Sequence, residues 1–458
     1  MSETLDVVVI GGGIAGLTAA YRLRHRSVAV LEADHRVGGR ILSAPRAPHW
    51  LNFGAHMFGE PGTVIGDLVE ELGLDSRPIR GRLLGISHRG RHALTQRPET
   101  YPFILPLSPA ARLSLIKVGL ALRVGSTRVV RELGNRPAGE TPDQRRKRML
   151  SFEEGRTLDQ MLGLVHPEVR TILTAITERN GADPSEMSAG HSLRSFANVW
   201  ATSAPGRNLV GGSSGLPNAI AGVLGDSIRL GARVLEVRRE GAGVVVHYEQ
   251  AGASQTITAR RAIIATPAFV THVIARDLPQ ATRQALEAIR YGAYLSVAAL
   301  TSETKALPWD GNYAISTPGR AFGVLFNQAT AIREPSGPRR SGGSIMMFRG
   351  ARGAAELIPR SDAELEALFL ADLERTFPGS TSLVAEIAVH RWPAGAPFTF
   401  PGRAALQAAL TADLGAVLLA GDYLEFPNME AAAVTGAEAA AKAEASLVET
   451  YTRSNTMS

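Results

Sequence analysis

The chain has 458 residues, 45% hydrophobic and 20% charged, which excludes a disordered or fibrous protein and predicts two domains around separate cores. A formal charge of +6 spread over this length does not make a nucleic-acid binder. There is no cysteine, which excludes disulfides, thiolate metal sites, a cysteine nucleophile and any group tethered through sulfur. Lysine occurs only as Lys117, Lys147, Lys305 and Lys442, so a lysine-dependent step has few candidates. No uncharged apolar run reaches the ~18 residues of a membrane-spanning helix. The first apolar run starts at Leu5 and leaves no room for a signal peptide, so a cytoplasmic location is expected.

Leu5–Ile10 reads as a strand, Ile14–Leu23 as a helix and Ser27–Glu32 as a second strand, a parallel βαβ unit. Between the first two lies Gly11-Gly12-Gly13-Ile14-Ala15-Gly16. Gly11 permits the tight turn, Gly13 lets a pyrophosphate approach the backbone, and Gly16 lets the helix pack closely on the sheet. The phosphates then face the helix start at Ile14 and Ala15. Glu32 closes the second strand, 21 residues after Gly11, where a carboxylate accepts from a ribose diol and repels a 2′-phosphate. The ligand at this turn is therefore FAD or NAD rather than NADP. Arg36-Val37-Gly38-Gly39-Arg40 follows as a second glycine turn, with Arg40 placed to set a fixed cation on the pyrophosphate.

The run Leu31-Glu32-Ala33-Asp34-His35-Arg36-Val37-Gly38-Gly39-Arg40 resembles a signature of the flavin-dependent amine oxidase superfamily, which includes protoporphyrinogen oxidases and phytoene-type desaturases. Asp34 departs from it, since many amine oxidases have a basic residue there. The resemblance implies bound FAD and makes Gly54, Ala55, His56 and Met57 flavin-side residues. His56 then either carries a proton or, as the favoured reading has it, packs and bonds backbone.

From Gly85 to Trp200 the chain reads as mostly helical, with helices at Ala110–Leu122, Thr157–Leu164 and Glu168–Ile176. The run Arg145–Arg148 within Gly134–Arg148 is read as a solvated loop or helix face, not a nucleic-acid patch. Ile104–Val124, apolar at helical spacing, is read as a helix over the pocket in preference to one lying on a membrane. His88 and His92 lack an accompanying carboxylate, so no metal site is expected. Strands return at Ser227–Val237, Gly243–Tyr248, Thr256–Ala259, Ala262–Thr266, Leu295–Leu300, Ser344–Arg349 and Ala416–Ala420. The last leads through Gly421-Asp422 and Pro427-Asn428-Met429-Glu430-Ala431-Ala432 to an alanine-rich helix, Met429–Glu449.

This ending is similar to the family's closing motif. The similarity places Gly421, Asp422, Asn428, Met429 and Ala432 at the cofactor, with the helix start facing the flavin edge that becomes negative on reduction. Val234 and Thr266 are weaker cofactor candidates by the same resemblance. The lysine that amine oxidases hold near flavin N5 falls at Ser296, and one aromatic of their paired cage falls at Asn428. Phe398, Phe400 or Trp392 is left to supply a wall. His56, Ser296 and Asn428 are the catalytic candidates.

The expected fold is a two-domain α/β flavoprotein. A Rossmann-like FAD-binding domain is formed by 1–85, 205–285 and 385–458. An inserted α+β substrate domain comes from 86–204, mostly helical, and 286–384, mostly sheet. The expected function is FAD-dependent oxidation of a C–N or C–C bond in a small organic, biosynthetic-type substrate by hydride transfer to flavin. FAD is non-covalent, and oxygen or another acceptor restores it. The alternatives are an FAD enzyme with no net redox change, such as an isomerase or mutase, and a degenerate flavin-binding protein. The oligomeric state, monomer or homodimer, stays open.

Overall fold

The computed structural model describes residues 4–80, 85–94, 97–200, 206–333 and 340–456. Two seven-stranded sheets organise the chain. In the first, Leu5–Ile10 lies between Val28–Leu31 and Ala253–Ile264, parallel to both. Val417–Leu419 joins parallel to Ala253–Ile264, and Ile228–Arg229 joins parallel to Val28–Leu31. Arg233–Glu240 and Gly243–Gln250 complete it as antiparallel neighbours. Ala253–Ile264 is one continuous strand where the sequence suggested two, because Arg261 stays in register opposite Val7 while its guanidinium donates to Ser446 Oγ at 2.8 Å.

The faces of this sheet are covered differently. One carries Ile14–Arg22, Gly215–Leu224 and the long C-terminal helix Met429–Thr456; the other carries Ala268–Ile274 and Gln280–Glu287. The alanine-rich composition of the C-terminal helix has a steric reason. A β-carbon on Gly436 would stand 2.1 Å from Ala15 O, so the two helices touch backbone to backbone. The short strand Val417–Leu419 thus returns the chain to the motif at its start, as a discontinuous domain requires.

The second sheet runs Val384–Pro397, Tyr291–Thr301, Gly343–Gly350, Val324–Asn327, Ala314–Ser316, Gly85–His88, Arg91–Ala93. Its outer face packs on the helix Asp362–Thr376 through Leu295, Val297, Met347, Phe369 and Leu373. Its inner face meets Leu51 and Phe53. Val384–Pro397 pairs along Tyr291–Thr301, so the second sheet continues to Pro397, past the division expected at 384/385. The expected boundary at 204/205 lies outside the described residues.

The helices of 101–197 form a third cluster. Ser108 caps Pro109–Leu133 by accepting from Ala111 N, and proline at its first position fits the helix start. This helix extends well beyond the expected Leu122. It buries Val118, Leu122 and Val129 on one side and exposes Leu113, Leu120 and Val124 on the other.

The basic run 145–148 is not uniformly solvated. It lies on the helix Pro142–Ser151, and Arg146 is only 6% exposed. Arg146 bonds Glu425 Oε1 at 2.7 Å, Asp143 Oδ1 at 2.9 Å and Glu438, clamping the helical cluster onto the C-terminal segment. Burial, and to a lesser degree the Glu438 carboxylate, push the Glu425 carboxyl up, and Arg146 opposes that. Arg146→Ala leaves Glu425 and Glu438 facing each other without the cation that hydrogen-bonds both. It is expected to cost about 3 kcal/mol, the lower end for a broken buried pair because Glu438 reaches solvent. Denaturant unfolding checks this, and a change below about 1 kcal/mol contradicts the clamp.

Candidate functional site

The glycine turn after the first strand is built as the sequence predicts. Gly11 has φ +104, and a β-carbon on Gly16 would lie 2.0 Å from Gly11 O, so neither position accepts another residue without strain. Gly13 differs, because no atom lies within 4 Å of where its β-carbon would be. The helix Ile14–Arg22 that starts there has no side-chain cap and no acid in its first turn. Its N-terminal N–H groups thus end in open space bordered by Gly13 and Gly39. Ile14 and Ala15 bury their side chains in the core, so they can offer only backbone N–H.

Glu32 holds this turn as well as facing it. Its Oε2 accepts from Gly12 N at 2.5 Å and its Oε1 from Asp34 N at 2.8 Å. Ala33 is exposed beside it. Ala232 N donates to Glu32 O, bringing partly buried Val234 to the same end. Thr266 lies two residues past the end of its strand, next to Gly11, and shares a hydroxyl hydrogen bond of 2.8 Å with Thr271.

Arg36 donates to Gly39 O at 2.8 Å and to Val37 O at 3.2 Å, fixing the second turn from within. Arg40 reaches further: Nη2 donates to Asp422 Oδ1 at 2.7 Å and Nη1 to Gly395 O at 3.2 Å. Burial works against its charge, but Asp422 outweighs burial and holds the guanidinium above its ordinary range. Gly421 N donates to Thr435 Oγ1 at 2.9 Å, fixing the loop carrying Asp422 to the last helix. Asn428 Oδ1 accepts from Ala431 N at 2.7 Å, so this catalytic candidate acts as a helix cap. Met429 is partly buried and Ala432 buried against the first-sheet core.

The third motif makes a tight corner. A β-carbon on Gly54 would lie 2.2 Å from Arg40 O, while Ala55 and Met57 are exposed along the turn. Two donors fix the Phe53 carbonyl: Ser296 Oγ at 2.8 Å and Trp392 Nε1 at 2.9 Å. Ser296 is fully buried, and its hydroxyl is spent on backbone. His56 Nδ1 lies 2.8 Å from Gly54 O and 3.0 Å from Asn52 Nδ2, so the ring is held by backbone and by an amide. Burial lowers the imidazole to about 4 against its ordinary 6.5, so it is neutral at physiological pH. Asn208 locks it further, its amide donating to His56 O at 2.7 Å and accepting from Tyr313 OH at 2.9 Å.

Beyond His56 the inner face of the second sheet presents a run of rings. His56 meets Phe326 at 5.3 Å, Phe326 meets Phe348 at 6.4 Å, and Phe348 meets Tyr294 at 4.8 Å. This wall was missed in the sequence, although alternation along 291–301 and 343–350 carried the signal. Phe398 and Phe400 instead pack with Ala182 and Met187 in a small core of their own.

The family model for flavin-containing amine oxidoreductases matches residues 14–443. The chain belongs to this family. AofH of Mycobacterium tuberculosis, named as a flavin-containing monoamine oxidase, is 29% identical over 263 residues. That match covers 54% of this chain and 54% of AofH, so the chain spans about half the length of the curated relatives it matches first. Two solved structures share the fold at a TM-score of 0.75. Cyclohexylamine oxidase of Brevibacterium oxydans has 22% identity, with 97% of this chain and 100% of that chain covered. Putrescine oxidase bound to putrescine has 20% identity, with 97% and 99% covered.

Family membership makes FAD the cofactor, and the donor set fits it. An uncapped helix N-terminus beside a glycine with free space, a carboxylate at the second strand's end and a nearby guanidinium match a pyrophosphate and a ribose. The chain has no cysteine for a thioether link. Among the described residues no group of His, Asp and Glu could hold a metal.

Glu32→Ala is expected to weaken FAD binding by about 1.5–3 kcal/mol, from lost charged hydrogen bonds. Fluorescence titration of the apoprotein reads this directly; unchanged affinity would misplace the adenosine end. A second expectation concerns acid. His56 is lowered to about 4 and His191 to about 3, both by burial, so the unfolded chain binds their protons first as pH falls from 6.5. Stability is therefore fully present above pH 6.5 and declines towards pH 4. His191→Gln should flatten that decline in denaturant titrations at stepped pH; an unaltered slope would assign it to other groups.

Proposed function

We propose that this chain is an FAD-dependent oxidoreductase that oxidises the C–N bond of a small amine, passing the electron pair to oxygen or another acceptor. The observation that carries the reading is the family match across residues 14–443. The related structures named above act on amines by their names, which supports it. When bound, FAD supplies a two-electron acceptor for hydride.

The chain's own part is positioning. Arg40 and the uncapped helix at Ile14 hold the phosphates, Glu32 the ribose, and the N-terminus of the helix Met429–Thr456 favours negative charge at the ring edge. The rings of Tyr294, Phe326 and Phe348 exclude water and orient an apolar portion of the substrate. Among the described residues no group at this wall is poised to carry a proton: His56 is neutral and bonded to backbone, and burial pushes the Tyr294 and Tyr313 phenols up. Ser296 holds Phe53 O and is not a base. A substrate that gives up hydride as the free amine needs none. The division into a cofactor domain and an inserted substrate domain belongs to the same reading, with the second sheet continuing to Pro397.

Anaerobic mixing with a panel of primary and secondary amines tests this. At least one amine is expected to bleach the oxidised-flavin absorbance, and air is expected to restore it. A protein that no amine reduces, but that turns a substrate over repeatedly without an acceptor, would establish the isomerase-type reading in its place.

A further inference from the structure

Arg179 is a partly buried cation close to the ring wall. It stands in the turn Glu178–Asn180, just after the helix Pro167–Thr177. Tyr294 OH, from the ring wall, donates to Arg179 O at 2.9 Å. The next residue, Gly181, comes so close to the second sheet that a β-carbon there would lie 3.2 Å from Ala396 O and 3.5 Å from Tyr294 OH. Ala396 adjoins Gly395, whose carbonyl takes the Arg40 guanidinium. The turn therefore borders the same space as the ring wall and the Arg40–Asp422 pair.

The guanidinium there is poorly matched. Its Nε donates to Ile176 O at 3.2 Å, and among the described residues Nη1 and Nη2 have no hydrogen-bond partner. Burial lowers its pKa, yet part of its surface stays accessible. The neighbouring Glu178 carboxylate offsets burial only in part and makes no hydrogen bond to it among the described residues. Glu178 turns the other way, to Arg349 Nη1 at 3.3 Å, and burial pushes Glu178 up to about 8. A partly buried guanidinium with free donors is a fork for a planar anion.

We propose that Arg179 binds an anionic group on the substrate, a carboxylate in the first instance. The substrate class is then an amine bearing an acid group, as distinct from a diamine, whose second cation Arg179 would repel. This rests on the amine-oxidation reading of the same site.

The test uses the FAD-loaded protein and needs no turnover. Phenylacetate and its neutral isostere phenylacetamide are titrated while the flavin spectrum is followed. Wild type is expected to bind the carboxylate at least about 10-fold more tightly, the scale of one charge-assisted contact. Arg179→Gln should abolish the preference and leave amide binding and FAD content unchanged; Arg179→Lys should keep part of it. Equal affinities in wild type, a preference that survives Arg179→Gln, or no spectral change with either compound overturns the proposal. If Arg179→Gln fails to fold, the wild-type pair and Arg179→Lys still decide. A carboxylate preference in a protein that no amine reduces would overturn only the reaction reading. Reduction by amines with no such preference would overturn only the role of Arg179.

Discussion

One guanidinium ties the molecule together. Arg40 leaves the second glycine turn, bonds Asp422 from near the C-terminus and caps Gly395 O on the edge strand of the second sheet. Three segments distant in sequence therefore meet at a single planar group, where burial would be costly without the carboxylate. Gly54 fits against Arg40 O, Gly421 is held by Thr435, and Tyr294 feels the charge of the pair. The space between the two sheets takes its shape from this contact. It also explains why the first domain must be discontinuous: Asp422 can reach Arg40 only if Val417–Leu419 returns beside Ala253–Ile264.

Around that contact the backbone does most of the binding and side chains do most of the positioning. The uncapped helix at Ile14 presents N–H groups, while Glu32, Arg36 and Asn428 each fix a turn through backbone bonds. The Phe53 carbonyl is gripped from two strands by Ser296 and Trp392, which sets the corner carrying Gly54 and Ala55. His56 is held at both its ring and its carbonyl. A site of this kind works by geometry and by excluding water, and its ionisable groups are kept in one protonation state by burial.

The periphery shows where local pattern misleads. Arg146 belongs to a run of cations that reads as solvated, yet it is the buried member that locks two segments. The helix Pro109–Leu133 is apolar on two faces, one packed and one exposed, which a periodicity argument cannot separate. In each case the deciding fact is which neighbour arrives from elsewhere in the chain.

Local chemistry made much of the first domain legible in the sequence. Gly11 is required by its own φ of +104, Gly16 by its contact with Gly11 O, and Glu32 by the strand it ends, so strand, turn and helix were legible from their spacing. The same holds for the start of the C-terminal helix, which a short-range cap defines. The inserted domain was less readable, because its strands pair over long separations and its ring wall exists only once Tyr294, Phe326 and Phe348 are brought onto one face. Ser296 could be placed by resemblance but not understood, since its partner is a carbonyl 243 residues away. Arg179 gave no signal at all. A charged residue at a helix end is normally solvated, and only the tertiary structure set it beside Tyr294 with two nitrogens unbonded among the described residues. Steric needs that act over a few residues leave their mark in the sequence, whereas the surroundings of a buried charge are made by segments that meet only when the chain has folded.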